Sequence, residues 1–197
     1  MKKLHIGYHK TGTSFLQQLI FPNCKDYKGK LYLENVLHNH KQYEIKGNDY
    51  ETGRNILLNL ENDWFISDEI YTRMKPKDLM SICYEFKPDK ILIVKREFND
   101  LLRSRKNHNS PPFYLNTKIQ KNIIDDEVIY HYDFNRLYND LSKISNVTML
   151  NYEKIFNGDN TELSELSNFC EQDIKDLFMI NIKNKINESK WKERIIV

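Results

Sequence analysis

The sequence has few of the features that mark secreted, membrane-spanning or zinc-binding proteins. It contains only three cysteines, Cys24, Cys83 and Cys170, and no CxxC pair, so we expect reduced thiols that pack in the core and no zinc knuckle. No apolar run approaches the roughly 18 residues that a transmembrane helix needs. The basic start Met1–Gly7 lacks the apolar stretch of a signal peptide. A cytoplasmic protein is therefore predicted.

The chain also lacks a large net charge. Its 30 basic and 28 acidic residues leave a formal charge of +2, and binding to a nucleic-acid polymer would require a concentrated basic surface. A local basic pocket for a small anion is still compatible with this balance. The 197 residues are 40% hydrophobic and 12% aromatic, which predicts one domain over 1–197 with a substantial core.

Five short apolar runs predict β-strands, at 4–8, 30–34, 64–68, 90–95 and 147–151. The run at 90–95 is continuously aliphatic, as is typical of a strand that is covered on both faces. Helical patterns lie between the strands, at 14–21, 78–86, 99–106, 132–144 and 161–170, and Thr161 is the expected N-cap of the last. This alternation predicts an α/β fold with a central, mainly parallel, five-stranded sheet.

One segment, 107–127, interrupts the alternation of strands and helices. It contains Pro111 and Pro112 and is mostly polar. Long irregular segments of compact domains are often functional, so the segment is either a lid or acceptor-binding insert or a plain surface excursion. The sequence leaves both interpretations open.

The strongest motif is the run from Gly7 to Ser14, which follows the first predicted strand and precedes a helix. Such a turn directs backbone N–H groups and the positive end of the helix dipole at one point. Gly7 and Gly12 allow the backbone to approach an anion closely, and Lys10 adds a positive charge. Hydroxyl donors follow at Thr11, Thr13 and Ser14. The run therefore predicts a site for a phosphate or a phosphosulfate.

The order of residues in this run differs from that of a Walker A loop, in which a glycine directly precedes the lysine. Here Gly12 is followed by Thr13, and Lys10 comes before the glycine. The difference weakens, without eliminating, the alternative of an ATP- or GTP-dependent phosphotransferase such as a kinase, in which Asp68 would be the candidate Mg²⁺ ligand. A non-catalytic nucleotide-binding module is a second alternative.

The run from His5 to Ser14 resembles the 5′-phosphosulfate loop of sulfotransferases that use 3′-phosphoadenosine 5′-phosphosulfate (PAPS), especially bacterial members that begin HIGxHKTGT. Arg96, at the end of the fourth predicted strand, and Ser104, eight residues later, resemble the family's 3′-phosphate motif. Phe98 stands where the family usually has proline. Weaker similarities are Asn146–Ile155, which ends in Tyr152-Glu153-Lys154-Ile155, and Ile186–Ser189.

The resemblance implies a P-loop-like three-layer sandwich, PAPS as donor, 3′,5′-adenosine bisphosphate as product, and no required metal. The residues that it assigns to the nucleotide are His9, Lys10, Thr11, Gly12, Thr13, Ser14, Arg96 and Ser104. The acceptor would be a hydroxyl, with a carbohydrate favoured.

Sulfuryl transfer requires a cation at the leaving oxygen and a base near the acceptor. Lys10 is the candidate cation. Glu69, at the end of the third predicted strand, is the favoured base, and His9 is the alternative because the pKa of histidine lies near neutrality. Asp68 would point away from Glu69 in an extended segment.

Overall fold

The protein is described by a computed structural model that covers residues 1–8, 11–29, 49–60, 62–100 and 126–194, with the backbone alone for 127, 128, 131 and 185–194. The strand predicted at 30–34 lies outside these residues. So do 101–106 of the predicted helix 99–106 and all but the last two residues of the proposed insert 107–127.

The described part of the chain forms one parallel sheet of four strands. They are β1 (Lys2–Ile6), β2 (Trp64–Asp68), β3 (Lys90–Lys95) and β4 (Asn146–Asn151), arranged in the order β2-β1-β3-β4. Every neighbouring pair is parallel. The predicted α/β class with a parallel sheet is confirmed, and a fifth strand is not among the described residues.

Eight α-helices surround this sheet within the described residues. They are α1 (Thr13–Phe15), α2 (Asp49–Leu58), α3 (Pro76–Phe86), α4 (Asp126–Tyr132), α5 (Phe134–Leu141), α6 (Tyr152–Phe156), α7 (Asn160–Cys170) and α8 (Lys175–Arg194). A 3₁₀ turn, Ile70–Thr72, follows β2. Across the ranges described, no helix has the length and apolar character that crossing a membrane would require.

Alternating side chains of the strands enter two hydrophobic clusters, one on each face of the sheet, because successive residues of a strand point in opposite directions. On β3, Ile91 and Ile93 join the cluster that includes the α3 and α5 side chains, whereas Leu92 and Val94 join the cluster that includes α7 and α8. Both clusters consist of almost fully buried residues. Helices therefore cover both faces, as the continuous aliphatic run of β3 predicts.

The helix that follows the Gly7–Ser14 loop differs from the regular α-helix predicted at 14–21. After α1 the chain winds as a π-helix over Leu16–Ile20 and then as a 3₁₀ turn over Phe21–Asn23. A π-helix makes i→i+5 hydrogen bonds, so the buried stripe no longer follows the α-helical spacing. Leu16 and Ile20 are fully buried, but Leu19, which shares their predicted stripe, is 38% exposed.

The N-cap predicted for the helix at 161–170 is also wrong. Helix α7 begins at Asn160, and its N-cap is Asp159, whose carboxylate accepts hydrogen bonds from the backbone N–H groups of Thr161 (3.0 Å) and Glu162 (3.1 Å). An aspartate at this position satisfies two of the amide donors that the first helical turn leaves unbonded. Thr161 therefore lies inside the first turn.

The three cysteines are buried and none forms a disulfide bond, in agreement with their predicted role as packing residues. Cys83 packs in the cluster on the α3 side of the sheet, and Cys24 and Cys170 pack in the other. Burial raises the pKa of the Cys83 thiol to about 12, so this group is protonated at neutral pH.

Candidate functional site

The candidate site lies at the carboxyl edge of the sheet, where the topology changes direction. From β1 the chain proceeds to β2 on one side, and from β2 it crosses to β3 on the other side of β1. In open α/β sheets, ligands bind in the crevice outside the carboxyl ends of the strands at such a switch point. The Gly7–Ser14 run follows β1 and Arg96 follows β3, so these two predicted parts of the site flank the crevice.

The described residues of the Gly7–Ser14 run are organised around the carbonyl oxygen of Tyr8. This oxygen accepts hydrogen bonds from Thr11 Oγ1 at 2.6 Å and Thr13 Oγ1 at 2.8 Å, and from the Thr11 backbone N–H at 3.3 Å. Both threonines are buried. Their hydroxyl hydrogens therefore shape the loop, in contrast to the predicted donation to an anion, whereas the Ser14 side chain is exposed.

The two glycines of the run have different surroundings. Gly7 donates its N–H to the carbonyl of Asp68 at 3.2 Å, and a Cβ at this position would lie 2.7 Å from Thr13 Cγ2. Gly12 has a φ of +75°, which L-residues rarely adopt, and a Cβ there would overlap the ring of Phe156. The run is therefore fixed against β2 at its start and against α6 at Gly12.

The favoured base, Glu69, directly follows β2 at the same edge of the sheet. It is half-buried and is the N-cap residue of the 3₁₀ turn Ile70–Thr72. Thr72 Oγ1 donates to the carbonyl of Glu69 at 2.8 Å and lies 3.5 Å from the carbonyl of Gly7. These contacts place the backbone of Glu69 beside the start of the loop.

Asp68 has an environment that differs from that of an exposed carboxylate. Burial raises the pKa of its carboxyl group, although the Ile70 N–H, which donates to Asp68 Oδ1 at 2.8 Å, acts in the opposite direction. The Asp68 carboxylate therefore accepts a backbone N–H from the start of the turn after β2. Among the residues that the structure describes, no three His, Cys, Asp or Glu side chains converge as a set of metal ligands.

Arg96 extends from the end of β3 and contacts the first turn of α6. Its guanidinium carbon lies 4.6 Å from the centroid of the Tyr152 ring, within the range of a cation–π interaction. Its Nε lies 3.6 Å from Glu153 Oε1. The Arg96 side chain is 22% exposed, so the guanidinium is partly desolvated while still accessible at the sheet edge.

A cleft of about 310 Å³ opens beside Arg96. Aromatic side chains line or support it: Phe98 packs against Tyr132 with ring centroids 5.6 Å apart, and Tyr8 packs edge-to-face on Phe134 at 5.0 Å. Phe98 therefore has a packing role in the wall of the cleft. Residues 98–100 are helical, and 99–100 are the two described residues of the helix predicted at 99–106.

Several predicted site residues lie outside the described part of the chain. They are His9 and Lys10 in the loop and Ser104 in the second motif. The residues that the structure does bring to the carboxyl edge are Gly12, Thr11, Thr13, Ser14, Glu69 and Arg96. No protein-family model matches the chain, and neither a curated protein nor a solved structure does.

The sequence did not indicate the role of α6 at this site. Tyr152 and Phe156 of this helix lie beside Gly12 of the loop, and Tyr152 also contacts Arg96. The available signal was the Tyr152-Glu153 pair directly after a predicted strand, because that position must lie at the carboxyl edge of a parallel sheet. Glu153 of this pair is an ion-pair partner of Arg96.

Proposed function

We propose that the protein is a sulfotransferase that transfers a sulfuryl group from PAPS to an acceptor hydroxyl, with a carbohydrate as the favoured acceptor. The observation that carries the proposal is the position of the Gly7–Ser14 run and Arg96 on the two sides of the switch point between β1 and β3. A ligand with two anionic groups, such as a 3′,5′-bisphosphate nucleotide, matches a site with two separate anion-binding parts.

The sequence resemblance supports the same ligand. It pairs the loop with the 5′-phosphosulfate and Arg96 and Ser104 with the 3′-phosphate. An arginine suits a phosphate dianion because its planar fork of N–H donors matches the phosphate oxygens. The P-loop-like three-layer arrangement belongs to this proposal, since helices cover both faces of the parallel sheet.

The proposed reaction is a displacement at sulfur. The acceptor oxygen forms a new bond to sulfur, and the bond from sulfur to the bridging oxygen of the 5′-phosphate breaks. Glu69, or His9, takes the acceptor proton, and 3′,5′-adenosine bisphosphate leaves with the electron pair of the broken bond. Lys10 stabilises the negative charge that develops on the bridging oxygen. These roles require positioning and electrostatics, as phosphoryl transfer does.

A thermal-shift experiment tests the nucleotide assignment. Purified protein is melted with 3′,5′-adenosine bisphosphate in the presence of EDTA, and separately with Mg-ATP. A ligand at one hundred times its Kd stabilises the native state by about 2.7 kcal/mol, which is a shift of several degrees for a chain of this size. We expect the bisphosphate to raise Tm without metal. Stabilisation by Mg-ATP alone would favour the kinase alternative and contradict the proposal.

A transfer assay then separates an enzyme from a binding module. The protein is incubated with PAPS that carries labelled sulfur, together with saccharide, lipid and phenol acceptors. We expect label in a saccharide product. Binding of the bisphosphate with no transfer to any acceptor class would support the non-catalytic module instead.

A further inference from the structure

Helix α6 packs beside both parts of the proposed site, the Gly7–Ser14 loop and Arg96. Tyr152 presents its ring to the guanidinium of Arg96 at 4.6 Å. The same ring approaches Gly12, since its Cε2 lies 3.4 Å from the position that a Cβ on Gly12 would take. The ring of Phe156 also lies against Gly12, and its centroid is 4.6 Å from the centroid of the Tyr152 ring. One aromatic side chain therefore contacts Arg96 and lies beside Gly12 of the loop.

The helix is held firmly in this position. Asn151 Oδ1 accepts from the Lys154 N–H at 2.9 Å as the N-cap, and the Asn151 N–H donates to Glu162 Oε2 of α7 at 2.8 Å. Ile155 is fully buried. Phe156 packs edge-to-face on Phe15 of α1 at 5.2 Å. These contacts leave Tyr152 little freedom to move relative to the sheet.

We propose that Tyr152 is a positioning residue that fixes the distance between the Gly7–Ser14 loop and Arg96. The protein thereby selects ligands with two anionic groups at one separation over ligands with a single anionic group. This inference rests on the proposed function, because it takes both parts as anion-binding.

The proposed preference for two anionic groups follows from the entropic cost of binding. When the loop and Arg96 are held at a fixed distance, binding of one phosphate places the second at a high effective concentration beside its own contact. When the guanidinium can sample other positions, the second contact must order a long side chain, which weakens binding. A ligand with only a 5′-phosphate does not use Arg96 and gains nothing from the fixed distance. Loss of the Tyr152 ring should therefore penalise a bisphosphate more than 5′-AMP.

Isothermal titration of three nucleotides tests this inference. The ligands are 3′,5′-adenosine bisphosphate, 5′-AMP and 3′-AMP, and the proteins are the wild type, Tyr152→Leu and Tyr152→Phe. The intraprotein cation–π contact corresponds to roughly a 2-fold to 30-fold change in an equilibrium constant, and this range bounds the affinity that release of Arg96 can cost. We expect Tyr152→Leu to lower the bisphosphate affinity by about tenfold and the 5′-AMP affinity by less than about threefold. Tyr152→Phe keeps the ring and should stay within about twofold of the wild type.

The possible outcomes separate the two proposals. If the wild type binds none of the three nucleotides, the proposed function fails. If the wild type binds the bisphosphate and Tyr152→Leu binds it equally well, or loses all three ligands by the same factor, the positioning role is overturned. Tyr152→Met keeps an unbranched apolar side chain against Phe156 and replaces Tyr152→Leu in the series if the leucine variant does not fold.

Discussion

The ring of Phe156 covers Gly12, which has a φ of +75°. An alanine at this position would adopt an unfavourable left-handed backbone and overlap the ring as well. We expect Gly12→Ala to lower the free energy of unfolding by about 2–4 kcal/mol, because left-handed strain and overpacking add. Urea denaturation followed by circular dichroism measures the effect.

Gly158 provides a matched control for this substitution. Its φ of +79° is almost the same, but a Cβ there would meet only the flexible end of Met179, at 3.1 Å. Gly158→Ala should therefore show the left-handed strain alone, about 1 kcal/mol. Equal losses for the two variants would show that the Phe156 ring moves aside without cost.

The buried histidine of β1 should make stability depend on pH. His5 is fully buried, shares a 2.7 Å hydrogen bond with Ser67 Oγ, and has a pKa lowered by burial from 6.5 to about 3. The unfolded chain therefore takes up a proton on this residue below pH 6.5, whereas the folded chain does not until about pH 3. The stabilising contribution is complete above pH 6.5 and is lost progressively as the pH falls through this window.

Between pH 7 and pH 5 the wild type should lose about 2 kcal/mol on account of His5. His5→Gln retains a hydrogen-bonding side chain beside Ser67 and does not titrate, so its stability should fall less over the same interval. Parallel urea titrations of the two proteins at both pH values give the difference. Identical pH dependence would mean that His5 takes up its proton at the same pH in the folded and the unfolded protein.

The N-cap of α7 gives a simple test of the local structure. Asp159→Ala removes the acceptor for the N–H groups of Thr161 and Glu162. We expect a loss of about 1 kcal/mol, as is typical of N-cap replacements. Thr161→Ala, one residue inside the helix, should have a smaller effect on Tm. A larger loss for Thr161→Ala would reinstate the threonine as the cap.

Glu69→Gln tests the assignment of the base. The substitution keeps the shape of the side chain and removes its ability to take a proton. Turnover in the transfer assay should fall by about 10²-fold to 10⁴-fold, with the affinity for 3′,5′-adenosine bisphosphate unchanged. Glu85→Gln, on the exposed face of α3, is the control and should retain full turnover. If Glu69→Gln is fully active and His9→Gln is not, His9 is the base.

Lys10→Ala tests the loop lysine. Loss of its charge should weaken bisphosphate binding by at least about tenfold and abolish transfer, because charge-assisted contacts to phosphate are among the stronger hydrogen bonds. Lys77→Ala removes an exposed lysine from α3 and should bind the nucleotide normally. Unchanged affinity in Lys10→Ala would show that this lysine does not contact the nucleotide.

The four strands that the structure describes could be predicted because their apolar runs are short, but the ends of β1 could not. The apolar pattern placed this strand at 4–8, whereas it spans Lys2–Ile6. Lys3 is only 2% exposed, which a charged residue rarely is. Its ammonium group is paired at 2.9 Å with Glu171, which lies far away in the sequence and therefore gives no local signal.

The candidate site could be predicted only where the location of a residue follows from its own segment of the sequence. Arg96 follows an aliphatic strand, and the edge rule for parallel sheets locates it directly. The contact of Phe156 with Gly12 joins two distant segments through an aromatic ring, so only the packing of α6 on the loop reveals it. The hydroxyls of Thr11 and Thr13 were predicted as ligand donors because the sequence does not show that the Tyr8 carbonyl accepts both.

The central position of β1 has a consequence for the order in which the protein forms during synthesis. β1 pairs with β2 and β3, so one of its edges stays unpaired until the ribosome has produced residue 68, and the other until it has produced residue 95. At about 5–20 residues per second the longer interval lasts several seconds or more. Parallel pairings between distant segments also form slowly. The loop after β1 gains its cover only when Phe156 has emerged, so one of the first segments to be synthesised is among the last to reach its final structure.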